Sequence, residues 1–181
     1  MIIKSFELEK IISFNSCIHL IYGNNEGFKQ DIINNYYKKN YKGEILKYEE
    51  QDILTNKEQF ISSLINKSLF ENEKLIIISR ATDKLTTVIN EVLDRKEIDA
   101  KIIIKSSNLE KKSKLRNLFE KEENIICTPV YEDDSKALYF IINNFLKDYK
   151  LNLSQEIKNI LIERSNGDRV NLKNELFKLK N

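Results

Sequence analysis

Two runs of consecutive aliphatic residues limit what this chain can fold into. Leu75-Ile76-Ile77-Ile78 and Ile102-Ile103-Ile104 show no polar alternation, so a strand made from either has to be covered on both faces. Ile18-His19-Leu20-Ile21-Tyr22, stopped by Gly23, and Ile125-Ile126-Cys127, ending before Pro129, read as two more buried strands. Gly43 resets the chain for another over Glu44 to Tyr48. Between them lie stripes at helical spacing. Phe28, Ile32, Ile33, Tyr36 and Tyr37 form the first, fading near Asn40, and Phe60, Ile61, Leu64 and Ile65 the second. Leu85, Val88, Ile89, Val92 and Leu93 follow, then the shorter Leu115, Leu118 and Phe119. Five strands alternating with four helices predict an α/β domain with a five-stranded parallel sheet under helical crossovers.

Pro129 is the only proline and marks a change of character. It lacks a backbone donor and disfavours helix in its neighbour, which suits a boundary. Beyond it the spacing predicts three helices and no strand. Leu138, Ile141, Ile142, Phe145 and Leu146 give the first its face, with Asp133, Asp134 and Ser135 at its start. Leu153, Ile157, Ile160 and Leu161 give the second, capped by Ser154 and broken by Asn166-Gly167. Asp168 caps the third, whose face is Leu172, Leu176 and Leu179. The chain divides into residues 1–130, α/β, and 131–181, a small three-helix domain.

Charge and cysteine usage exclude several functions. Thirty basic against 28 acidic residues leave a net charge of +2, too little for a protein that coats a polyanion. Lys outnumbers Arg 25 to 5, while Ile and Asn are abundant and Ala scarce, a bias that reflects AT-rich codons before it reflects function. Cys17 and Cys127 lack the spacing of a zinc site, and both read as buried thiols of a reduced compartment. His19 is the only histidine and falls within a strand, which argues against a hydrolase or transferase with a base-activated nucleophile. No apolar stretch is long enough for a membrane span and no secretory signal opens the chain, so a cytoplasmic protein is expected.

A parallel α/β domain followed by a small helical one resembles the layout of AAA+ machines, which makes the first strand-to-helix turn a test. A working phosphate loop needs G-x-x-x-x-G-K-[ST], whose glycines admit phosphate, whose Lys neutralises it and whose hydroxyl holds magnesium. Counted from Gly23, Lys29 falls in the lysine register, but Phe28 replaces the second glycine and Gln30 the hydroxyl, while Glu26 adds negative charge. The third strand exits into Ser79-Arg80-Ala81 without a carboxylate, and Val170 stands where a nucleotide-sensing arginine is expected. Three parts of an ATPase site are missing. Lys29 then reads as a solvated lysine at a helix start, and no cofactor or metal is expected.

Further motifs resemble the delta subunit of the bacterial DNA polymerase III clamp loader. They are Leu20-Ile21-Tyr22-Gly23, Ser68-Leu69-Phe70 before the strand at Lys74 to Ile78, Lys112-Ser113-Lys114-Leu115-Arg116, Gly167-Asp168, and Asn174-Glu175-Leu176-Phe177-Lys178-Leu179. Gly27 and Lys29 depart from the family, where acidic or aliphatic residues are more usual. The resemblance runs from about Ile18 to Lys180 and covers the family's first two domains without the C-terminal collar domain. It implies an AAA+-shaped subunit of a DNA-directed DNA polymerase holoenzyme with no nucleotide site and no catalysis of its own. Such a subunit binds and opens the sliding clamp (the beta subunit), while the ATP-binding tau/gamma subunits and delta-prime complete the loader on primed DNA.

The resemblance puts the clamp-binding tip at Ser68, Leu69 and Phe70. Leu69-Phe70 is an apolar pair between Lys67-Ser68 and Glu71-Asn72-Glu73, as a plug for a partner's pocket would be. Leu69 also lies four residues after Ile65, so the pair equally suits an extension of the buried stripe. Lys111, Lys112, Lys114 and Arg116 are the candidate contact to DNA phosphates; a solvated face balanced by Glu110, Glu120, Glu122 and Glu123 is the competing reading. An AAA+ ATPase with an atypical loop and a stand-alone DNA-binding domain remain the alternative functions.

Overall fold

The computed structural model describes residues 1–4, 7–8, 16–65, 74–95, 98 and 100–179. Five strands, β1 (Ile18–Tyr22), β2 (Ile45–Glu49), β3 (Lys74–Ala81), β4 (Ala100–Ser106) and β5 (Ile126–Pro129), form one parallel sheet in the order β2-β3-β4-β1-β5. The helices are α1 (Glu26–Ile32), α2 (Glu50–Thr55), α3 (Lys57–Ile65), α4 (Thr86–Leu93), α5 (Lys114–Lys121), α6 (Ser135–Tyr149), α7 (Gln155–Ser165) and α8 (Arg169–Lys178). A π-helical segment, Ile33–Lys38, continues α1, and a 3-10 turn, Asp83–Leu85, precedes α4.

The aliphatic runs form the central strands, as their lack of alternation requires. Ile18, Leu20 and Tyr22 of β1, Ile76 and Ile78 of β3, and Ile102 and Ile104 of β4 share one core. Phe60, Ile61 and Leu64 of α3, Val88, Ile89 and Val92 of α4, and Leu115 and Phe119 of α5 pack there too. Intervening residues turn to the opposite face, as strand alternation dictates. There His19 lies against Tyr37 of the π-helical segment. The outer edge of β5 is covered near the chain start, where Ile3 N–H donates to Cys127 O and Cys127 N–H to Met1 O, both at 2.9 Å.

The chain falls into two compact units, Met1–Asn24 with Asp31–Val130, and Asn25–Gln30 with Tyr131–Asn181. In the second, Leu138, Ile142, Phe145, Leu146, Leu161, Leu172 and Leu176 make a core of their own. Asp134, Ser154 and Asp168 cap α6, α7 and α8, each accepting from a backbone N–H in the first turn.

Several expectations are corrected. β3 runs on through Ser79–Arg80–Ala81 with an irregularity after Ile78, where Arg80 adopts φ 59°. β5 includes Pro129, since its partner β1 leaves the proline on an outer strand where a missing donor is tolerated. Glu50–Thr55 adds a helix that carries too few apolar residues to show a stripe. Ile157, Ile160 and Leu179, expected on buried faces, are exposed, and Cys17 is only half-buried. A helical stripe identifies the apolar side of a helix without saying how far the core reaches around it.

Candidate functional site

The chain leaves β1 toward the β2 edge and leaves β4 toward the opposite one. The carboxyl end of β1 therefore lies at a switch point of the sheet, where open α/β folds bind ligands. Gly23, at that end, has φ 135°, and a Cβ there would stand 1.8 Å from Val130 O. Only glycine fits. Its N–H faces Ser106 O and Ser107 O at 3.3 and 3.2 Å, so this donor is turned toward its own unit.

Asn25–Gln30 belongs with the helical unit, and there the phosphate-loop residues meet groups of their own chain. Asn25 opens α1 by accepting from Phe28 N–H at 2.9 Å through Oδ1, while its Nδ2 donates to Asp133 Oδ2 at 2.8 Å. Lys29, expected to be solvated, is fully buried. One of its partners is Glu26, whose Oε1 lies 2.5 Å from Nζ. A buried ammonium needs a counter-charge, and Glu26, itself largely exposed, supplies one.

Arg169 completes the arrangement. Its guanidinium lies over the Phe28 ring, 3.9 Å from the centroid, and it grips Asp133 through two nitrogens, Nε at 2.7 Å from Oδ2 and Nη2 on Oδ1. A Cβ on Gly27 would stand 2.6 Å from Arg169 Cγ and 2.7 Å from Val170 Cγ2. The space beside Gly27, in the first turn of α1, is thus filled by side chains of α8. Phe28 is brought into this cluster, Lys29 is buried with Glu26 as a partner, Gln30 is exposed, and Gly23 belongs to the other unit.

Sequence reasoning missed Arg169, Asp133 and Asn25. A signal for Arg169 existed: it precedes Leu172 and Leu176 by three and seven residues, so a charge stands in the register of a buried stripe. Lys29 stands likewise before Ile32, Ile33 and Tyr36. A missed carboxylate also approaches the end of β3. Glu50, nearly buried, accepts from Thr82 N–H at 2.6 Å and from Thr82 Oγ1–H at 3.0 Å, so it is occupied by its own neighbour.

The basic cluster is split. Lys111, Lys112 and Lys114 are exposed before and at the start of α5, with Lys112 Nζ 3.0 Å from Glu110. Arg116 is half-buried; its Nε donates to Glu120 Oε1 at 2.7 Å and its Nη1 to Leu109 O at 3.1 Å. Asp83 already occupies the start of α5, accepting from Ser113 Oγ at 2.5 Å and Leu115 N–H at 3.1 Å. The Ser113 hydrogen bond holds the Asp83 carboxyl below its ordinary range. Ser68, Leu69 and Phe70 lie outside the described residues. Among the described residues there is no cluster of metal-ligating side chains, and no helix is long and apolar enough to cross a membrane.

His19 is buried between two hydroxyls, with Nδ1 2.5 Å from Tyr37 Oη and Nε2 2.8 Å from Thr128 Oγ1. Burial pushes its pKa down to about 3 and the Tyr37 hydroxyl's up. The imidazole is therefore neutral at ordinary pH. Between that value and the unfolded value near 6.5 the unfolded chain holds one more proton, so stability rises with pH. Urea unfolding should therefore find the advantage of wild type over His19→Gln narrowing by about 2 kcal/mol from pH 7 to pH 5. A difference that does not change with pH excludes a buried neutral imidazole.

The parallel sheet with its covering helices defines an AAA+-like α/β fold. Over 97% of its length the chain is similar to the Bacillus subtilis DNA clamp loader delta protein (YqeN), with a TM-score of 0.65 and 14% identity, and it spans 56% of that chain. It is also similar to the replication initiator DnaA bound to AMPPCP and single-stranded DNA, with TM-score 0.57, 17% identity, and 96% of this chain and 57% of that one covered. A third similar structure is a point mutant of Thermotoga maritima RuvB, with TM-score 0.53, 15% identity, and 93% and 57% covered. At these identities the likeness is one of fold, and the chain spans a little over half of each protein. No family model matches the sequence, and no curated protein does.

Proposed function

We propose that this chain is a clamp-loader delta subunit, or the corresponding part of one, that binds the sliding clamp and favours its opened form. The observation that carries the reading is an AAA+-like fold in which Lys29 pairs with Glu26, Phe28 stands in place of the second phosphate-loop glycine under the Arg169 guanidinium, and neighbouring Gly27 is covered by Arg169 and Val170. Such a subunit keeps the frame of a nucleotide-driven machine and leaves ATP to its neighbours in the loader. The similarity to the clamp loader delta protein over 97% of the chain supports it, as do the short motifs in matching order. Clamp contact is assigned to Ser68, Leu69 and Phe70, and partnership to the tau/gamma and delta-prime subunits and to primed DNA within the complex.

Two measurements test this. Mixed with a bacterial sliding clamp, the chain should co-elute with it on size exclusion; separate elution at tens of micromolar removes the reading. Labelled ATP with magnesium should give no saturable binding by equilibrium dialysis. Saturable binding at micromolar ATP would instead favour an ATPase with an atypical loop.

A further inference from the structure

The helical unit carries an open surface cavity that neither the loop nor the clamp reading uses. It has a volume of about 440 Å³, and three lysines reach it: Lys147 and Lys150 from the end of α6 and Lys158 from α7. Asn143 and Asn152 add carboxamides, and among the described residues no carboxylate lines it. Lys158 Nζ donates to Asn143 Oδ1 at 3.0 Å, which holds one ammonium at the wall. Lys150 closes α6 with φ 53°, a left-handed position where glycine is the usual residue, so a lysine stands there at a conformational cost.

The end of a helix ordinarily repels anions through its unpaired carbonyls. Here Lys150 N–H donates to Leu146 O and Lys147 O, and Leu151 N–H to Leu146 O at 2.9 Å, so two of the end carbonyls are engaged. Three ammonium groups outweigh the partial negative charge, about half a unit, of the helix end. Leucines complete the lining, and among the described residues no aromatic ring or guanidinium reaches it. A base would find nothing to stack on, and a lone phosphate would find no planar fork to fix its orientation. Separate ammonium groups suit phosphates spaced along a strand, which they neutralise as point charges.

We infer that this cavity binds the phosphodiester backbone of nucleic acid without regard to base sequence. The chain's net charge is only +2, so the attraction is local to these lysines. The inference does not depend on the clamp reading, since it rests on the helical unit alone.

The test is fluorescence anisotropy of a labelled 20-base-pair duplex with the full chain between 50 and 200 mM salt. Each neutralised phosphate adds about 0.9 to the slope of log affinity against log salt, so Lys147→Gln/Lys150→Gln/Lys158→Gln should flatten the slope by about 2.7. Over that fourfold range, wild-type binding should fall about 40-fold more than the variant's. Circular dichroism checks the fold, and if the triple variant is unfolded, Lys147→Gln alone should flatten the slope by about 1. The inference fails if wild type does not bind the duplex at 50 mM salt or the slope survives the substitutions. It also fails if the slope falls instead with Lys111→Gln/Lys112→Gln/Lys114→Gln. Inorganic pyrophosphate displacing the duplex at equal charge concentration would mark a small-anion pocket, and polyglutamate doing so a surface for an acidic protein; either overturns it.

Discussion

Arg169→Ala should destabilise the helical unit by about 3–5 kcal/mol, the range for removing one partner of a buried ion pair. The side chains of Arg169 and Asp133 are 8% and 3% exposed. With the guanidinium gone, the Asp133 carboxylate keeps the Asn25 amide as a donor but loses its counter-charge in a place water hardly reaches. The Phe28 ring loses its cover as well. Arg169→Lys should recover part of the loss, because an ammonium restores charge without the two-pronged grip or the stacking plane. Asp133→Leu/Arg169→Leu should cost less than Arg169→Ala, since no uncompensated charge stays behind. Urea titration followed by far-UV circular dichroism measures all three. A loss below about 1 kcal/mol for Arg169→Ala would mean a solvated pair of the ordinary surface kind, and the loop would then not be held shut by it.

How much of this was legible follows from what each residue type signals. Uninterrupted aliphatic runs have few stable homes, so Ile76 to Ile78 and Ile102 to Ile104 gave the central strands and with them the α/β class. The caps Asp134, Ser154 and Asp168 could be read because short oxygen-bearing side chains have few better uses just ahead of an apolar stripe. The loop's chemistry could be read only by subtraction. Phe28, Gln30 and Glu26 told what could not bind, whereas what fills the loop depends on α8, more than a hundred residues away. Lys29 and Arg169 stand in the register of buried stripes, but a charge there argues for solvent until a counter-charge is known. Glu26 and Asp133, found beside them in the fold, supply it. Asp83 at the start of α5 was hidden for the same reason: it crosses from one crossover to the next, and no local pattern links it to Ser113.

Replacing Leu69 and Phe70 together by alanine should abolish co-elution with the clamp while leaving the thermal melt of the chain where it was. The pair lies between Lys67-Ser68 and Glu71-Asn72-Glu73, and full burial of both side chains in a partner contributes about 3–6 kcal/mol before association costs. Removing even the lower figure weakens binding by about two decades, enough to carry a micromolar complex out of reach of size exclusion. The two outcomes that oppose the reading differ from each other. A variant that binds as well as wild type puts the contact elsewhere on the chain. A variant that melts several degrees lower shows that Leu69 continues the buried stripe of Phe60, Ile61 and Leu64, and that its partner is its own core. Binding alone would still not be opening, because a ligand shifts a two-state equilibrium only through its difference in affinity for the two states. The same chain should therefore bind a clamp with a weakened ring interface more tightly than one whose interface is cross-linked shut, and equal affinities for the two would leave it a clamp binder that opens nothing.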